Sequence, residues 1–428
     1  MPTSPLFPSA SGSREASTSN HAGHVALTIG FGRAFSWELS AITVWSFDRA
    51  VVATATVPTT LVVLTDDPSV LGPHRAAVPR LVVQQFNLTS LRSAWRIGRA
   101  TLTPADSVWF RFALLTTYVE RHCRDAELVL LFDLKDILFE SSPFVLAPRD
   151  SASSRALNTL TSFTEAFPVQ KGSWNHKAML HFKETRGSIA VIDEVVSRRP
   201  LGLNSGIMLG PPRVVEQHAR RLTKAVLGLT PLPKTMMGID QGAHNLLVYG
   251  SLFSVDAGDW GSGGGDGGGG NARAVHTKHN IIGMNLNGTC PVLTMHMISP
   301  LIYQCDEVNR EAPGASLFGI RSSASNKPYI MVHQWNRAPE TVQRAVLCHH
   351  RHILSLPRIR CGSRATCRPF APEKSLLLPD EREMLHKLSY PSFWRSWCPK
   401  STGCVTDSEA ISLRERPNGQ PVAPRAAE

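Results

Sequence analysis

Apolar and polar positions switch between two periods along the first half of the chain. Val25 to Ile29, entered from His24, form an apolar run that ends at Gly30-Phe31-Gly32 and reads as a strand. From Phe35 to Arg49 apolar residues recur at Leu39, Ile42 and Trp45, with Ala41 and Val44 beside them, which is helical spacing. Thr60–Thr65 and Leu81–Phe86 are further strands, the first ending at Asp66-Asp67-Pro68. Thr103 as N-cap and Pro104 in the first turn open a helix with Val108, Phe112, Leu115 and Val119 on one face. Glu127–Phe132 then forms a run of the kind buried on both faces of a parallel sheet. This alternation predicts an α/β sheet with helices on both sides.

The second half is less regular. Leu203–Leu209 reads as a strand, Pro211-Pro212 opens a helix bearing Val214, Val215, His218, Leu222 and Val226, and a helix over 239–249 stops at Gly250. Val292–His296 and Tyr329–His333 are the last strands expected. Gly261–Gly270 holds eight glycines in ten positions and reads as an inserted surface loop without chemistry. The Ser-, Pro- and Ala-rich residues 1–23 read as a disordered leader, 24–340 as the folded body, and 341–428 as a basic, Cys-rich C-terminal extension.

Composition narrows the class. With 428 residues, 42% of them hydrophobic, the chain is neither collagen-like nor wholly disordered. No apolar run nears the ~18 residues of a membrane span, so no transmembrane segment is expected. The net charge of +11 is uneven: Arg337 to Arg368 holds seven Arg against one acid, Glu340. Without interleaved aromatics that run does not read as a nucleic-acid binder. Five of the eight Cys lie in the last fifth of the chain and none forms a C-x-x-C pair, which argues against a zinc site. That clustering and the sequons at Asn87 and Asn287 suit the secretory or Golgi lumen, while the lack of an apolar signal core in the first 23 residues suits the cytoplasm.

Four constellations can carry chemistry. Asp133 and Asp136 flank Leu134-Lys135 where the buried strand ends, and carboxylates at a strand end can face a hard cation such as Mg²⁺ or Mn²⁺. The same residues also suit a capped turn with Lys135 as ion partner. Asn204-Ser205-Gly206 interrupts an apolar strand with groups able to hydrogen-bond sugar hydroxyls, or marks a bulge. Asp240, Gln241, His244 and Asn245 make one polar helical stripe, either a hydroxyl-recognising face or a solvated one. His333 follows a strand as a potential metal ligand, with Arg337 or Lys327 as potential phosphate contacts.

In order and spacing these elements resemble nucleotide-sugar-dependent glycosyltransferases of the GT-A fold. The likeness is closest to eukaryotic sequences with an Asp-x-Arg/Lys-Asp turn, here Asp133-Leu134-Lys135-Asp136-Ile137-Leu138-Phe139 followed by Pro143-Phe144, and more distant to family 8. It spans about 25–337 and implies a Rossmann-like, mixed, mostly parallel sheet flanked by helices. It implies Mn²⁺ or Mg²⁺ on Asp133, Asp136 and His333, bridging a donor diphosphate. Asn204, with Ser205 and Gly206, would meet the donor sugar. Asp240 and Gln241 would line the catalytic pocket, Gly30 and Asp66 would flank the nucleoside, and Arg337 would meet phosphate. The acceptor would be a hydroxyl of a glycan, protein or lipid.

The chain departs from the pattern at two points. The second acid of Asp-x-Asp is replaced by Lys135 and displaced to Asp136, and a Gly-containing Lys-Pro-Trp segment after the late His is replaced by Gln334-Trp335-Asn336-Arg337. Two other readings follow: a non-catalytic nucleotide-sugar or glycan binder that keeps the fold, and a Rossmann-type S-adenosylmethionine methyltransferase built on Gly30-Phe31-Gly32 and Asp66.

Overall fold

The computed structural model describes residues 5–7, 21–31, 37–71, 78–98, 102, 106–135, 137–147, 159–185, 187–229 and 238–252, with short later segments at 292–294, 303–305, 320–322 and 330–333. Its centre is a six-stranded sheet of β1 (Gly23–Gly30), β2 (Thr59–Thr65), β3 (Leu81–Gln85), β4 (Ala126–Phe132), β6 (Thr161–Pro168) and β7 (Leu201–Gly210), in the order β3-β2-β1-β4-β7-β6. β1 to β4 run parallel, and β7 is antiparallel to both of its neighbours. The α/β architecture with a mixed, mostly parallel sheet is therefore as expected. A smaller sheet joins β5 (Ile137–Phe139) to β11 (Met331–His333) and β11 to β8 (Val292–Thr294). β9 (Tyr303–Cys305) pairs with β10 (Ile320–Ser322).

Burial on both faces explains the unbroken apolar strands. Along β1, Val25, Leu27 and Ile29 join one core, while Ala26 between them joins the other. The first core is closed by α3 (Ser107–His122), α6 (Pro212–Leu227) and α7 (Ile239–Leu252). The second is closed by α1 (Trp37–Phe47), β5 and Met331 of β11. Thr28, buried in β1, donates to the Phe132 carbonyl at 2.6 Å, so the polar residue of the run has its partner inside. The shorter helices are α2 (Leu88–Ala94), α4 (Trp174–Met179) and α5 (Ser188–Arg198). Among the described residues no helix is long and apolar enough to cross a membrane.

Several boundaries move. The first helix continues past Phe47 as a wider π-type turn over Asp48–Val52. α3 starts at Ser107 behind Asp106; Thr103 and Pro104 lie outside the described residues. α7 does not stop at Gly250 but runs to Leu252, where the Tyr249 hydroxyl ties its end to the Leu201 carbonyl. Within the leader, Leu6 is buried in the first core and its carbonyl accepts from Asn87 N at 2.9 Å. Phe7 sets its ring edge-on to Tyr118 at 5.4 Å, so packing begins before His24. The glycine run 261–270 and the extension 341–428 lie outside the described residues.

Candidate functional site

Strand order alone marks an edge of the sheet. The chain builds outward from β1 to β2 and β3, then crosses back to place β4 on the other side of β1. The crevice past the carboxyl ends of β1 and β4 is thus a topological switch point, where open α/β sheets bind ligands. Asp133 follows β4 directly, Gly30 ends β1, and Asp66 follows β2 on the same edge. β7 runs the opposite way with Ile207 facing Phe132, so Asn204, Ser205 and Gly206 lie beyond the end of β4.

Ser205 and Gly206 lie in a bulge that Asn204 flanks. Against β6 the register steps from Ser162 with Met208 to Phe163 with Asn204, which leaves residues 205–207 out of that ladder. The bulge reading and the site reading of Asn204-Ser205-Gly206 are therefore one feature. β11 completes the edge, because its pairing with β5 sets His333 opposite Ile137, just past the acidic turn.

One hydrogen-bonded cluster results. Arg111, on the second turn of α3, gives Nη1 to Asp133 Oδ1 and Nη2 to Asp240 Oδ2, the latter at 2.7 Å. Ser205 Oγ donates to the same Asp240 oxygen at 2.8 Å. Asn204 Oδ1 accepts from Gly206 N at 2.7 Å, so its amide nitrogen faces His333 Nδ1 at 3.1 Å. With Nδ1 accepting, the ring proton lies on Nε2, 3.4 Å from Asp133 Oδ2. A Cβ at Gly206 would stand 2.3 Å from Asp133 Oδ2, so only glycine admits the carboxylate here. Asp240 enters from α7 behind Gly238, whose φ of +71° and contact with the Trp174 ring also require glycine.

Asp133 is the open member, with 27% of its side chain exposed against 13% for Arg111, 7% for Asp240 and 2% for His333. Burial raises the Asp133 carboxyl, but Arg111 and then His333 outweigh it and hold the group down at about 2. Burial raises Asp240, offset in part by Arg111 and Ser205 and reinforced by Asp133. The two carboxylates are thus driven apart, one firmly ionised and one readier to take a proton.

The other stripe residues of α7 make contacts outside the Asp133 cluster. Asn245 clamps Leu203, accepting from its N–H and donating to its carbonyl, both at 2.9 Å. His244 meets His218 of α6 at 2.8 Å. Gln241 donates to Asn175 of α4 at 2.7 Å, away from the Asp133 cluster. All four stripe residues are buried, which overturns the solvated-face reading. Gly30 and Asp66 share the sheet edge with the cluster, and the Asp66 carbonyl accepts from Gln85 Nε2. Asp136, Arg337 and Lys327 lie outside the described residues.

Arg111 is the residue that sequence reasoning missed. Its signal was available: a charge between Phe110 and Phe112 on an otherwise apolar helix is seldom buried without a partner.

Asp133 fits a divalent cation by its chemistry, since it is an ionised carboxylate and the most exposed side chain among the four charged or titratable members of the cluster. His333 Nε2, 3.4 Å from Asp133 Oδ2, is near enough to share that ion in the tautomer that carries its proton on Nδ1. Among the described residues no cluster of three or more His, Cys, Asp or Glu gathers around one point. No protein-family model matches the chain, and comparison with curated proteins gave no significant match.

Proposed function

We propose that the protein is a GT-A-type glycosyltransferase that moves a sugar from a nucleotide-diphosphate donor to a hydroxyl of a glycan, protein or lipid, in the Golgi or secretory lumen. One observation carries the reading: Asp133, Asn204, Ser205, Asp240 and His333, drawn from four separated stretches of sequence, meet in one hydrogen-bonded cluster at the carboxyl edge of the sheet. Mn²⁺ or Mg²⁺, held by Asp133 and His333 with Asp136 beside them in sequence, would supply Lewis-acid stabilisation of a diphosphate leaving group.

The chain's own residues do the rest. Asp133, kept ionised, fixes one end of the cleft. Asn204, and Ser205 in the bulge beside it, carry the amide and hydroxyl groups that would meet sugar hydroxyls. Asp240, with a raised proton affinity, stands where it can bind a hydroxyl hydrogen near the reacting carbon. Most of the rate then comes from positioning and fixed charge.

The test is a donor-hydrolysis screen across common sugar nucleotides with Mn²⁺ or Mg²⁺, run on wild type, Asp133→Asn and Asp136→Asn. Metal-dependent hydrolysis of one donor, lost in Asp133→Asn, is expected. Equal activity in all three proteins removes the cation assignment. Donor binding without turnover over a broad acceptor panel replaces the enzyme with a nucleotide-sugar binder. Binding of S-adenosylmethionine and of no sugar nucleotide rejects the proposal.

A further inference from the structure

The Arg111 guanidinium stands where a cation serving the two carboxylates would stand. It donates to Asp133 through Nη1 and to Asp240 through Nη2, and both acids are largely withdrawn from water. Two such carboxylates repel, and one guanidinium between them cancels half of their charge. Arg111 thereby ties both carboxylates into one cluster. A divalent ion approaching Asp133 must use Oδ2, beside His333 Nε2, while Arg111 occupies Oδ1 of the same group. It meets a positive charge that cannot be deprotonated.

We propose that Arg111 is a resident counter-ion that competes with a divalent cation for Asp133, so that the ion enters this site as a complex with a diphosphate rather than alone. The inference rests on the nucleotide-sugar reading and deepens it: the ligand recognised is the metal–diphosphate complex, whose phosphate charge offsets the guanidinium. Asp240 takes one arm of Arg111 and so limits how fully the arginine neutralises Asp133.

The test is Mn²⁺ affinity, read from the electron-paramagnetic-resonance signal of free Mn²⁺, together with thermal melts with and without Mn²⁺. Wild type, Arg111→Met, Arg111→Lys and Asp240→Asn are compared. Arg111→Met is expected to bind Mn²⁺ alone at least about tenfold more tightly than wild type. It should melt lower without the ion, and Mn²⁺ should raise its Tm more than that of wild type. Arg111→Lys keeps the charge and stays within about threefold of wild type, and Asp240→Asn binds no more tightly than wild type. If Arg111→Met needs Mn²⁺ to fold, ion-dependent folding by circular dichroism carries the same meaning. Adding inorganic pyrophosphate should tighten Mn²⁺ binding to wild type more than to Arg111→Met.

Equal Mn²⁺ affinity in wild type and Arg111→Met overturns the proposal. So does an Arg111→Lys that behaves like Arg111→Met, or an Arg111→Met that neither folds nor binds with Mn²⁺ present. A wild type that binds no sugar nucleotide defeats the glycosyltransferase reading instead, and that result is independent of the Mn²⁺ series.

Discussion

At the carboxyl end of β4, Arg111 and His333 outweigh burial and hold the Asp133 carboxyl at about 2. At the amino end of the same strand, titratable groups also gather: His21 Nε2 meets the Tyr118 hydroxyl at 2.9 Å, the Tyr118 and His122 rings lie 4.7 Å apart, and Cys123 is buried beside them. There burial decides. It lowers His21 and His122, pushes the Cys123 thiol up to about 12 and raises Tyr118 further still. One edge invests its polar groups in charge, held by an arginine between two acids. At the other, burial favours the neutral forms of His21, Tyr118, His122 and Cys123. A crowd of ionisable residues therefore signals chemistry only where pairing beats desolvation.

The contrast is broken most directly by removing one group at each edge. Asp240→Asn should lower donor turnover by about 100-fold or more, whereas Tyr118→Phe should leave turnover within about twofold and cost about 1 kcal/mol in urea unfolding. Comparable losses of turnover would erase the distinction. Within α7 the same division is sharpened by Asn245→Ala, which strips partners from the buried Leu203 N–H and carbonyl. It should cost about 1–3 kcal/mol of stability while the folded fraction keeps its donor affinity, measured by calorimetry.

Acid should find the amino edge first. His21 and His122 bind protons less readily folded than unfolded, so below their ordinary value of 6.5 the unfolded chain takes up more protons and stability falls. Asp133 responds in the same direction but at lower pH: its contribution is present above 3.8 and is lost only as pH falls through about 2. Urea midpoints should drop between about pH 7.5 and pH 5.5, and drop less in a His21→Gln/His122→Gln variant. An unchanged slope in that variant would count against the neutral cluster. The smallest effect is an absence of reaction: iodoacetamide should leave Cys123 unmodified in the folded protein, read by peptide mass mapping, and modify it after denaturation.

Most strands of the large sheet were legible in the sequence, the inner ones because burial on both faces leaves no room for polar alternation. β1, β2, β3, β4 and β7 all lie within or near the apolar runs. β6 was not legible. Its run of Thr161, Ser162, Thr164 and Glu165 carries mixed polarity, and its pairing with β7 breaks twice. Asp133, Asn204, Ser205 and Asp240 were found because polar groups in apolar surroundings stand out. The fate of the α7 stripe was not legible, since helical spacing shows which residues share a face but not which partner each will meet. Gln241 and Asn245 looked like Asp240 until α4 and β7 claimed them.

The β5–β11 pairing has a consequence for biosynthesis. The strands bearing Asp133 and Asn204 can associate while the ribosome is still adding residues, but the imidazole that faces them is translated 129 positions after Asn204. A nascent chain can thus hold its large sheet before the polar cluster is complete, with His333 joining only when β11 pairs beside Ile137.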